Sequence, residues 1–209
     1  MRTFIDHART FGSRAAENGG ELHRLADGQS PLALFITCSD SRVIPSLFTG
    51  ARPGELFELR TAGNIVPPYR LDRPTSEAAT IEFAIEILGV ADIVVCGHSH
   101  CGAVGALVRG DDLSAAPAVR TWLAEAAGTS PRLPGDAASE RAASPSAGSG
   151  DLATAVQRHV LDQLERLRAY PGVDERAADG RIGLHAWYYE VHTGSVLAHR
   201  PDADTFSPL

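Results

Sequence analysis

Apolar side chains along this chain change their spacing several times, and each change marks an element. Over RTFIDHARTFGSRAAE, Phe4, Ile5, Ala8 and Phe11 recur at helical spacing, which predicts an amphipathic helix at the N-terminus. GELHRLADGQSP then closes the segment in turn chemistry and sets residues 1–26 apart as a helical arm. PLALFITC is apolar almost throughout, as in a strand buried on both faces of a parallel sheet, and ELFELR reads as a shorter strand after the RPG turn. PTSEAATIEFAIEILG returns to the helical period: Ile81, Ala84, Ile85 and Leu88 share a face, Ser76 is the expected N-cap and Gly89 the stop. ADIVVCGHSHCGAVGALVRG then repeats the order of strand, glycine turn and helix.

Beyond a short helix at VRTWLAEA, residues 128–150 carry Gly, Pro, Ser and Ala with almost no large apolar side chain, which predicts a long flexible loop. The helical period resumes in DLATAVQRHVLDQLERLRAYP, with Val156, Val160, Leu161, Leu164 and Leu167 on one side and Pro171 ending it. IGLHAWYYEVHTGSVLAH offers two β-prone runs around a TG turn, a strand and hairpin for the edge of a sheet. The alternation predicts an α/β fold: a single domain, residues 1–209, with a central, mostly parallel β-sheet flanked by helices.

Composition narrows this. A chain of 209 residues with 44% hydrophobic content buries one core, and a formal charge of -7 leaves no basic face for nucleic acid or an anionic membrane. All nineteen cationic side chains are Arg. No run approaches the roughly eighteen apolar residues of a membrane span, and the N-terminus lacks an apolar signal core, so a cytoplasmic location is expected. Three cysteines are too few for a disulfide framework, which leaves their thiols for metal binding, catalysis or packing.

The chemistry gathers where two apolar strands end. Cys38 and the HSHC stretch both follow strands just before a change of direction, and ligands of open α/β sheets collect at the carboxyl ends of strands. If those strands are parallel neighbours, Cys38, His98 and Cys101 converge as a thiolate, imidazole and thiolate set of the kind zinc takes tetrahedrally, with a fourth position open. His98 and Cys101 are one helical turn apart, and Gly97 and Gly102 let the backbone come close. Asp40 has two readings. Held by Arg42, it orients a nucleophile at the metal; swung away, it becomes the fourth ligand and closes the site.

CSDSR at 38–42, RTAGN at 60–64 and CGHSHCG at 96–102 together resemble the β-class carbonic anhydrases, and GQSP and NIVPPY draw the likeness toward their plant-like branch. The resemblance implies reversible hydration of carbon dioxide to bicarbonate by zinc-bound hydroxide, with one Zn2+ per subunit on Cys38, His98 and Cys101 and the pair Asp40 and Arg42 beside it. It also implies that Gln29 donates to a substrate oxygen, that Phe57 forms an apolar wall, and that a backbone amide near Gly102 faces the developing oxyanion. A homodimer or homotetramer follows from the same likeness, with the N-terminal arm packed on the partner subunit. The chain departs from the pattern at Phe83, where many relatives have Tyr, at Ala62, where some have Val, and at Ala186, where Gly is frequent. Two other functions are compatible with the motifs: hydrolysis of carbon disulfide or carbonyl sulfide, and a non-catalytic zinc sensor with Asp40 permanently on the metal. Cys96 is expected to be a packed thiol and His100 a solvent-facing residue. His159 and the remaining histidines, which have no partner pattern, read as surface or core, and Trp122 and Trp187 as core or interface aromatics.

Overall fold

Residues 1–17, 22–127 and 149–209 are described by the computed structural model. Four strands pair in parallel: β1 (Ala33–Cys38), β2 (Leu56–Thr61), β3 (Asp92–His98) and β4 (Gly183–Tyr189). Two more, β5 (Val196–Arg200) and β6 (Thr205–Pro208), continue the sheet in antiparallel fashion, giving the order β2-β1-β3-β4-β5-β6. Every residue of β1 is buried, which accounts for its unbroken apolar run. From β1 the chain pairs β2 on one side and then returns to pair β3 on the other. The carboxyl ends of β1 and β3 therefore flank the point where strand order reverses, the place at which α/β sheets open a crevice.

The helices are α1 (Arg2–Glu17), α2 (Pro45–Thr49), α3 (Ser76–Glu82), α4 (Gly102–Arg109), α5 (Pro117–Ala127), α6 (Ser149–Arg168) and α7 (Val173–Ala178). On one face of the sheet, Leu34, Ile36, Ile93 and Val95 pack under Ile81 and Ile85 and under Val160 and Leu167 of α6. The opposite face is thinner: Phe35, Val94 and Cys96 pack with Phe48 of α2, Trp187 and Tyr189, and the Phe48 and Tyr189 rings stack at 4.6 Å. Cys96 is fully buried, and desolvation pushes its thiol up to about 12, in keeping with a packed residue.

Several details differ from the sequence reading. The cap of α3 is Thr75, whose hydroxyl accepts from Ala78 N at 3.1 Å, so Ser76 is its first helical residue. The same helix widens into a π turn over Phe83–Ile87 before it stops. Of the expected 128–150 loop, residues 128–148 lie outside the described part, while the last two already belong to α6. Helix α1 forms as predicted, yet within one chain its apolar face is left largely open: Phe4 and Phe11 are 72% and 56% exposed. No helix among the described residues is long and apolar enough to cross a membrane.

Candidate metal centre

β1 ends on Cys38 and β3 on His98, and because the two strands are adjacent and parallel their last side chains meet. Cys101 joins them from the residue that caps α4. The three ligand atoms lie within 4.8 Å of one another, and all three residues are buried.

The histidine is set in the tautomer a metal needs. His98 Nδ1 lies 2.9 Å from the Ser99 carbonyl, which can only accept, so Nδ1 carries the proton and Nε2 presents a bare lone pair. That Nε2 is buried and has no hydrogen-bond partner among the described residues. A buried, orphaned imidazole nitrogen facing two thiols is costly unless something binds it, and a divalent ion fits the donor set.

The two sulfurs behave as one titrating unit. Cys38 is drawn down to about 4, chiefly by the Cys101 thiol donating to it and further by the amides of Gly63 and Asp40. Cys101 is pushed up, chiefly because it holds that shared proton and also by burial. A cation that replaces the proton would meet two thiolates.

Beside them, Arg42 grips Asp40 from two sides: Nε donates to Oδ1 at 2.9 Å and an Nη to Oδ2 at 2.7 Å, with the Arg42 backbone N–H adding a third bond at 3.0 Å. The guanidinium holds the Asp40 carboxyl well below the usual carboxylate range. Asp40 Oδ2 still lies only 3.9 Å from His98 Nε2, so the carboxylate faces the cluster while bonded to Arg42.

The 38–43 turn that carries these groups is held by Arg60 of β2. Its guanidinium donates to the carbonyls of Cys38 (3.0 Å), Asp40 (2.8 Å) and Val43 (2.7 Å), reaching them because Arg60 is registered against Thr37. The segment after β2 is clasped in turn by α6 and by Tyr170 in the turn that follows it. His159 Nε2 is 2.8 Å from Gly63 O, Gln163 Oε1 accepts from Val66 N, Arg166 donates to Val66 O, and Tyr170 Oη donates to Pro67 O. These four polar residues recur at helical spacing and were readable as a stripe, although nothing in the sequence shows what the stripe touches.

The remaining expected site residues are placed unevenly. Gly102 is the first residue of α4, adjoining Cys101, but a side chain there would meet nothing; Gly97, by contrast, is required by the close approach of Val156 and Val160. Phe57 pairs with Leu34, near the amino end of β1, and stacks on Phe83 with ring centroids 6.0 Å apart. Gln29 is exposed and precedes β1 altogether. Within one chain, Gln29 and Phe57 thus lie toward the end of the strand opposite Cys38. His100 is exposed, with φ +58, and its carbonyl accepts from Arg42 at 3.2 Å.

The family model for carbonic anhydrase matches residues 33–196. A carbonic anhydrase of Pseudomonas aeruginosa is 43% identical over 201 residues, covering 95% of this chain and 87% of that protein. Carbonic anhydrase 1 of Escherichia coli O157:H7 is 39% identical, covering 100% of this chain and 92% of the relative. Among solved structures, that of the β-carbonic anhydrase CcaA is similar with a TM-score of 0.88 at 36% identity, covering 100% of this chain and 99% of that one. A structure described among tetrameric β-carbonic anhydrases of Sordaria macrospora has a TM-score of 0.75 at 28% identity, covering 94% of each chain.

Proposed function

This chain belongs to the β-class carbonic anhydrase family, whose general function is the reversible hydration of carbon dioxide, and from that premise we propose that Cys38, His98 and Cys101 hold the catalytic zinc. The observation that carries the reading is the bare, buried Nε2 of His98 facing two sulfurs that share one proton. Bound there, zinc supplies a Lewis acid that lowers the pKa of water and makes a nucleophile available near neutral pH.

Asp40 is the acceptor that orients the reacting water. Ionised and acceptor-only, it takes a hydrogen bond from that water, and Arg42 keeps the carboxylate turned so that its oxygens stay where they are. The triple grip of Arg42 favours this role over that of a permanent fourth ligand, which a non-catalytic sensor requires. The N–H of Gly102, at the start of α4, is directed as helix N-termini are toward negative charge and binds the oxygen of carbon dioxide that becomes anionic.

Gln29 and Phe57 complete the substrate wall from a second copy of the chain. Their distance from Cys38 within one chain supports this, as does the uncovered apolar face of α1, which a partner subunit would bury. The protein is accordingly a homodimer or a tetramer built from such dimers. Its buried thiols suit a reducing compartment, and we place it in the cytoplasm.

Stopped-flow hydration of carbon dioxide from pH 7 to 9 tests the assignment: zinc-loaded protein is active and Cys38→Ser is not. A zinc-loaded protein without hydration activity anywhere in that range would defeat it. Mixing Gln29→Ala with Cys38→Ser subunits tests the shared site. Hybrid dimers regain activity, since one of their sites has both residues intact; mixtures no more active than their components would show that Gln29 serves its own chain.

A further inference from the structure

Gly63 donates its N–H to Cys38 Sγ at 3.4 Å, among the described residues the one backbone amide outside the 38–43 turn that favours the thiolate of Cys38. The N–H belongs to the peptide unit whose carbonyl is Ala62 O, and that carbonyl accepts from Trp122 Nε1 of α5 at 2.9 Å. The next peptide unit is held as well: Gly63 O lies 2.8 Å from His159 Nε2 of α6, and since a carbonyl only accepts, Nε2 carries the proton. Both peptide planes around the Gly63 Cα are therefore pinned, one by an indole and one by an imidazole.

The pinning matters because of where it falls. Gly63 has φ +80, a left-handed conformation, and a Cβ there would stand 3.1 Å from Ala103 Cβ, so the position needs glycine. Glycine has the least intrinsic preference for one orientation of its peptide planes, and left alone the 62–63 amide could turn away from the sulfur. Trp122 also draws charge toward Ala62 O, which leaves the N–H of the same peptide unit more positive, the mutual polarisation expected of chained hydrogen bonds. His159 is 5% exposed and Gly63 is buried, so little water competes for the bond between them.

We propose that Trp122 and His159 are positioning residues for the metal centre, acting together to aim the Gly63 amide at Cys38 Sγ. By dispersing negative charge on that sulfur they set how strongly it donates to the ion and how well the apo site is preorganised for it. The proposal rests on zinc ligation by Cys38, and the test separates the two.

Apo protein is titrated with zinc against a chromophoric chelator, and separately with cobalt(II), whose thiolate-to-metal charge-transfer band reports the electron density on sulfur. Wild type, Trp122→Phe, His159→Leu, His159→Gln and Tyr170→Phe are compared. Trp122→Phe and His159→Leu are expected to bind zinc about 10–100-fold more weakly, the range for lost outer-sphere partners, and to move the cobalt band to longer wavelength. His159→Gln, which keeps an N–H donor, recovers most of both. Tyr170→Phe removes the bond to Pro67 O at the far end of the same clasp. It should lower the melting temperature and leave band and affinity as in wild type. An unmoved band and affinity in Trp122→Phe overturns the proposal, and this holds even if His159→Leu does not fold. So does a shift in Tyr170→Phe as large as in Trp122→Phe, which would mark a general loosening. If wild type shows no thiolate-to-cobalt band at all, the ligand assignment itself fails, and the proposal with it.

Discussion

Replacing Gly97 by alanine adds one methyl group where β3 and α6 touch. The new Cβ would stand 2.6 Å from Val160 Cγ2 and 2.7 Å from Val156 Cγ1, some 0.7–0.8 Å inside ordinary contact, which begins near 3.4 Å. Neither valine can give way easily: both are fully buried, and a β-branched side chain in a helix is confined to one main rotamer. The helix and strand must instead separate, and overpacking of this kind costs about 1–3 kcal/mol. For a chain of this size, each kcal/mol lowers the melting temperature by about 2–4 °C, so a mid-range cost of about 2 kcal/mol predicts a fall of about 4–8 °C. Because His98 follows directly on the same strand, Nε2 moves too, and zinc affinity should fall about tenfold or more. Calorimetric melting of Gly97→Ala, Val160→Ala and the double variant isolates the contact. The double variant should recover at least about 1 kcal/mol relative to the sum of the single losses. Strict additivity, or a Gly97→Ala protein melting within a degree of wild type, would refute the steric argument.

Two further outcomes follow from the titrating groups. Asp40 has a folded-state pKa depressed by Arg42, so its contribution to stability is complete above the unfolded value of about 3.9 and disappears as pH falls toward the folded one. In metal-free protein, the melting gap between wild type and Asp40→Asn should hold steady from about pH 8 to 5 and shrink below about pH 4; a gap unchanged down to about pH 2.5 contradicts this. Oxidation gives a second check, because Cys38 is a thiolate at neutral pH, with the Cys101 sulfur within 4.8 Å. Diamide should take two electrons from this pair in apo protein, leaving Cys96 as the one titratable thiol in denaturant and blocking zinc uptake until a dithiol is added. Three free thiols after treatment, or undiminished zinc uptake, would count against it.

What the sequence disclosed depended on whether a residue's partner is a side chain or a backbone atom. Cys38, His98 and Cys101 could be paired in advance because thiol and imidazole announce their chemistry, and because both strands end where the apolar runs end. Arg60 and His159 could not. Their partners are carbonyls, identical in every residue, and they are met only through the β1–β2 register and a helix 96 residues away from Gly63. Gln29 and Phe57 were identified by likeness, which assigns a role but not a position, and the single chain holds them toward the other end of β1. At the start of α3, Ser76 is the better cap by type, and only the backbone geometry selects its neighbour Thr75. Helices α2 and α7, five and six residues long, are too short to show a period.

The reversal of strand order at β1 also bears on how the chain avoids misfolding. Cys38 and His98, 60 residues apart, meet because β3 passes β2 and docks on the far edge of β1. A sheet mispaired in simple chain order would put β2 between them and separate the two strand ends by about 9–10 Å, beyond the reach of one ion. Zinc held by these ligands would discriminate between the native arrangement and its nearest topological rival. It would deepen the native basin by about 4 kcal/mol when free metal exceeds the dissociation constant a thousandfold, and give the misordered sheet nothing. Metal supply would then govern not only how many finished molecules are active but how many chains reach the correct topology.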